Sequence, residues 1–199
     1  MSLFPTDPKK IRAQITRYER EMRREYESHR FIDDGYGKRY LLGPLYLLLG
    51  DLTGAVKSYA WFERMFPDDM GAPEHFLCWA LALYRAEDKA GAAQKLLRAM
   101  LSNLYLLPRL FGDKQSHLDI WYSTNEQDEG YLETIEPVLW KLWDAEALQW
   151  ARMQYESATF KRVRQRYVEI YKQLQTEPVG ERRSQLVAEG FALLKTNVS

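Results

Sequence analysis

The sequence predicts an all-α fold, and three observations carry that expectation. Two segments, one read from Leu42 and one from Trp79, repeat at a constant offset of 37 positions, so that Gly43 falls on Ala80, Asp51 on Asp88, Gly54 on Gly91, Ala55 on Ala92, Tyr59 on Leu96 and Phe62 on Ala99. Such a period marks a helical-hairpin unit that buries its apolar face by stacking on a neighbour. Outside the repeat, apolar residues recur every three or four positions, and no stretch alternates like a strand beyond a few residues. All 199 residues are expected to form one α-helical domain with a sizeable core.

The first helix belongs to residues 1–34. Asp7-Pro8 reads as an N-cap followed by the first helical residue, and Ile11, Ile15, Tyr18, Met22 and Tyr26 mark one face. Residues 35–107 hold the two repeats. Each is preceded by an Asp pair, Asp33-Asp34 and Asp68-Asp69, where a helix start needs acceptors and negative charge. The four Asp residues predict N-caps; a metal role would need further ligands at loop spacing, and none is evident.

Residues 108–130 read as an ordered loop with the turn residues Phe111-Gly112-Asp113 and the acidic run Glu126 to Glu129, held down by Trp121-Tyr122. Residues 131–199 read as C-terminal helices. Trp140, Trp143, Ala147 and Trp150 fall on one face, and the spacing predicts core for Trp140 and Trp143. Phe160, Val163, Tyr167, Ile170 and Leu174 mark the next helix, and Leu186, Val187, Phe191 and Leu194 mark the last, after the break at Pro178-Val179-Gly180.

The first repeat resembles the tetratricopeptide repeat (TPR) through Gly43, Tyr46, Gly50, Ala55, Tyr59 and the closing Pro67. Small residues let two helix backbones approach, aromatics fill the facing holes and the proline stops the second helix. The second copy keeps Ala80, Leu83, Ala92, Leu96 and Ala99, with Glu87 at the turn and Leu104 in place of the proline. The region after the repeats is similar to that of the TPR-like family around the suppressor-of-tumorigenicity proteins, through Leu110-Phe111-Gly112, Trp143 and Ala147-Leu148-Gln149-Trp150. That similarity implies a third, degenerate helical unit.

The TPR resemblance implies a protein–protein interaction module with no catalysis of its own. Its groove-facing positions fall on Tyr40, Pro44, Leu47 and Leu48 of the first unit and on Glu74, Leu77, Leu81, Tyr84 and Arg85 of the second. The family's carboxylate-gripping set is not matched, because Leu41 stands where an Asn would be expected. An apolar, aromatic groove instead suits an amphipathic helix or peptide. No cofactor is implied.

Net charge is zero, which argues against generic nucleic-acid binding, yet residues 113–151 carry 2 basic and 9 acidic side chains while 152–199 carry 9 and 5. Folding the acidic middle onto the basic ends accounts for that asymmetry. Lys161, Arg162, Arg164 and Arg166 form a basic helix face, so an RNA- or phosphate-binding protein is one alternative. A self-associating protein, such as a homodimer whose groove is filled by its own terminal helix, is the other. The most apolar run, Leu41 to Leu49, is too short to span a membrane, the sequence opens on no signal-like segment, and the single Cys78 suits a reducing compartment, so a cytoplasmic location is expected.

Catalytic motifs are missing from the sequence. His29, His75 and His117 are far apart, and there is no HExxH, CxxC, GxSxG, P-loop or GxGxxG. His75 and Cys78, one helical turn apart, form the best nucleophile candidate, but no third orienting group is evident.

Overall fold

Asp7 accepts the Lys9 backbone N–H at 2.8 Å and Pro8 takes the first helical position, which starts helix α1, Pro8–His29. The structure, a computed structural model, describes residues 3–35 and 37–198; residues 1, 2, 36 and 199 lie outside the described set. Ile11, Ile15, Tyr18 and Met22 of α1 are buried, as the spacing predicts, whereas Tyr26 is 39% exposed.

Two helical hairpins follow, α2 (Lys38–Leu48) with α3 (Leu52–Met65) and α4 (Pro73–Arg85) with α5 (Lys89–Ser102). Their turns share one geometry at the 37-residue offset. Gly50 and Glu87 both adopt the left-handed conformation, at φ 71° and 62°. Asp51 then caps α3 by accepting the Gly54 N–H at 2.8 Å, and Asp88 caps α5 by accepting the Gly91 N–H at 2.9 Å. Turns this short make each pair antiparallel. Gly43 permits the close approach within the first hairpin, because a Cβ there would overlap the Tyr59 ring; Ala80 and Leu96 occupy the corresponding buried places in the second. Helix α2 packs on α1, and both α2 and α3 pack on α4, so the hairpins stack.

The two Asp pairs behave differently from the expectation of matched caps. Asp34 reaches α2 from beyond its N-cap Gly37, accepting the Arg39 N–H of the first turn at 2.6 Å. Asp69 does not cap α4, which begins at Ala72-Pro73 without a side-chain cap. It turns back instead to accept from Arg39 Nε at 2.9 Å and from the Tyr40 hydroxyl at 2.6 Å, tying the second linker to α2.

The predicted loop over 108–130 differs at its start, which is helical. Helix α6 (Leu106–Phe111) takes the start of the predicted loop and ends at left-handed Gly112. Beyond it the chain is extended, with short 3-10 helices at Asn125–Gln127 and Glu129–Thr134. No apolar stripe follows Gly112 to hold a helix on the core. Asn103 pins the segment, donating to the carbonyls of Glu126 at 2.7 Å and Asp128 at 3.0 Å, and Trp121 stacks on Tyr171.

The C-terminal part comprises α7 (Pro137–Trp140), α8 (Ala145–Glu156), α9 (Ala158–Thr176) and α10 (Glu181–Leu193). The Trp stripe is split, because the chain leaves helical geometry between Trp140 and Ala145. Trp143 is core, while Trp140 and Trp150 are half-buried. Helices α8 and α9 pack on α5, and α10 covers α9 around Ile170, Leu174 and Leu186. The fold is all-α, with no strand among the described residues.

Candidate binding groove

The residues placed on a partner groove do come together on the faces of α2 and α4, but that face is occupied. Leu47, Leu77 and Leu81 are buried, and Pro44 with them. Residues 131–150 lie across it. The Tyr131 hydroxyl meets both carboxylate oxygens of Glu74 at 3.0 Å, Tyr84 donates to Glu146 at 3.1 Å and its ring lies 4.6 Å from that of Trp150. Arg85 donates to the Leu142 carbonyl at 2.6 Å and to Asp144 at 3.0 Å. Near Tyr40 and Pro44 only a cavity of about 50 Å³ remains, closed by Leu3, Phe4, Ile135 and Leu139. Leu48 is half-buried against the core. The expectation of an open groove on helix faces α2 and α4 is therefore corrected: Ile135 and Leu139 of the same chain close the space beside Tyr40 and Pro44, and Tyr131, Glu146 and Trp150 engage Glu74 and Tyr84.

Burial also sets the chemistry of the polar groups there. Desolvation pushes the Glu74 carboxyl up, opposed by the Tyr131 hydroxyl. Desolvation drives His75 down to about 4 and pushes the Cys78 thiol well up. A nucleophilic cysteine needs an accessible thiolate, so the His75–Cys78 pairing is packed core. His75 is ringed instead by Tyr40, Tyr59, Phe62, Phe76 and Trp79. Among the described residues, no group of three His, Cys, Asp or Glu side chains is placed to hold a metal ion, and no helix is long and apolar enough to cross a membrane.

An open groove lies elsewhere, between α1 and α3. Met22 and Tyr26 of α1, Leu42 and Tyr46 of α2, and Trp61 and Met65 of α3 enclose about 450 Å³, within the range of small-molecule and side-chain pockets. Arg23, Lys57 and Arg64 stand at its rim with Glu19. Glu19 accepts the Tyr46 hydroxyl at 2.6 Å, and desolvation followed by this carboxylate pushes that hydroxyl up. Phe31, in the linker after α1, is 60% exposed. The sequence does not point to this groove as long as α1 counts as a flanking helix. The available signal was the same offset: Met22 lies 37 positions before Tyr59 and Tyr26 the same distance before Glu63, which makes α1 the counterpart of α3.

The basic face of α9 is partly committed inside the molecule. Arg164 donates to Gln115 at 2.9 Å, and Arg166 makes a two-point pair with Glu189 at 2.7 and 2.8 Å. Lys161 and Arg162 remain exposed. The acidic middle reaches the C-terminal basic segment at Arg152–Asp113, 2.9 Å, while Asp144 pairs with Arg85 of α4 and Glu133 with Arg109 of α6. No family model, no curated protein and no solved structure matches the chain.

Proposed function

We propose that this chain is a non-enzymatic interaction module, a TPR-like stack of helical hairpins that holds a peptide or amphipathic helix of a partner protein. The observation that carries the reading is the open apolar groove between α1 and α3, with Tyr26 and Trp61 at its edge. Exposed apolar grooves with a polar rim mark binding surfaces, and Trp and Tyr are the residues that dominate such interfaces. The α2 and α4 face named by the family resemblance serves the fold here, because residues 131–150 fill it. The shared turn geometry at Gly50-Asp51 and Glu87-Asp88 supports the repeat register.

The burial of Cys78 and His75 supports a non-catalytic role, and a single reduced thiol suits the cytoplasm. The α9 face, with Arg164 and Arg166 engaged internally, offers less free charge to a polyanion than its sequence suggests. A photo-crosslinking phenylalanine analogue at Tyr26, compared with one at exposed Met153 on α8, tests the reading in cells. Protein adducts specific to position 26 are expected. Absence of adducts there, or the same adducts from position 153, would remove the groove as the binding surface.

A further inference from the structure

We propose that the groove between α1 and α3 docks an acidic peptide segment of a partner protein, which inserts one bulky aromatic or aliphatic side chain between Leu42 and Ser58. This deepens the interaction-module reading and rests on it. The neighbouring interval between α3 and α5 is filled by the protein's own side chains. There Trp79 stacks on Tyr59 with ring centroids 5.1 Å apart, Lys95 Nζ lies 3.6 Å from the Trp79 ring centre, and the same Nζ reaches Glu63 at 2.5 Å.

The residues 37 positions earlier are Met22 for Tyr59, Leu42 for Trp79, Ser58 for Lys95 and Tyr26 for Glu63. A leucine thus replaces an indole and a serine replaces a lysine. Neither the stack nor the ion pair can form. The side-chain volume lost at these two positions falls within the groove that Leu42 and Ser58 line. A partner side chain of that size restores the packing that the other interval achieves internally.

Charge selects the flanks. Arg23, Lys57 and Arg64 surround the groove, and none has a carboxylate partner among the described residues. Glu19, the carboxylate lining the groove, is already engaged by Tyr46. A segment carrying Asp or Glu beside its apolar anchor meets a complementary rim, whereas a basic segment meets uncompensated repulsion.

Selection from a displayed random heptapeptide library tests the proposal, using three proteins. The first is the wild type. The second carries Tyr26→Glu with Ser58→Lys, which rebuilds the ion pair of the neighbouring interval across the groove at exposed and half-buried positions. The third carries Lys57→Glu with Arg64→Glu, both exposed. Circular dichroism confirms that all three are folded. The wild type is expected to enrich Trp, Phe or Leu anchors flanked by Asp and Glu, the closed variant to lose that enrichment, and the charge-reversed variant to bind the selected peptides more than tenfold more weakly. Enrichment that the closed variant abolishes but whose flanks are neutral or basic overturns the acidic partner while keeping the groove. Absence of enrichment, or enrichment indifferent to closure, overturns the groove itself.

Discussion

The imidazole of His75 sits against the backbone of Tyr40, with Nδ1 3.3 Å from the carbonyl oxygen. Pro44, four residues on in α2, has no N–H to give that carbonyl, so the helix leaves an acceptor open. Because a carbonyl can only accept, His75 carries a proton on Nδ1, and burial, which lowers its pKa to about 4, keeps the ring neutral near pH 7. A proline inside one hairpin is thereby offset by a histidine from the next.

A pH dependence follows from that bond. Burial lowers His75 to about 4, against 6.5 for the free side chain, so between these values the unfolded chain binds the extra proton. Stability therefore falls as pH drops through this window, by about 3 kcal/mol at its lower end. His75→Gln keeps a donor and removes the titration. Urea midpoints from pH 7.5 to 4 are expected to fall more steeply for wild type than for the variant, and parallel curves would contradict the assignment.

Gly43 and Tyr59 form a second coupled pair. A methyl at position 43 collides with the ring, so Gly43→Ala should cost about 1–3 kcal/mol by overpacking. The second hairpin accommodates Ala80 opposite Leu96. In a Tyr59→Leu background the same Gly43→Ala change should therefore cost less, by about 1 kcal/mol in a double-mutant cycle. Additive costs would mean that the two sites do not touch.

Tyr84 separates a covered face from an open one. It is 8% exposed, lies against Trp150 and donates to Glu146. Tyr84→Glu loses the ring contact and sets a carboxylate beside Glu146, so thermal unfolding should show a loss of about 2–4 kcal/mol. Trp61→Glu, at the edge of the open groove, should change stability by less than about 1 kcal/mol. The reverse order would place the free surface on α2 and α4.

Local signals make most of the helices legible in the sequence. The pair Asp7-Pro8, the period along Ile11 to Met22 and the break at Pro178 to Gly180 each act within a turn or two of chain, and the helix boundaries fall where these signals place them. The stretch after Gly112 is harder to read, because Asn103 and Tyr171 hold it from distant positions and leave no periodic trace.

Sequence by itself determined the helical class, the 37-residue spacing of the two hairpins and the apolar character of the α2 and α4 faces. Tertiary structure decided what covers each face. An apolar stripe states that something must bury it without saying what, and only the path of residues 131–150 assigns that role to the chain itself. The groove between α1 and α3 depends in the same way on side-chain sizes summed over three helices, where Leu42 and Ser58 fall short of the space that Trp79 and Lys95 fill one interval later.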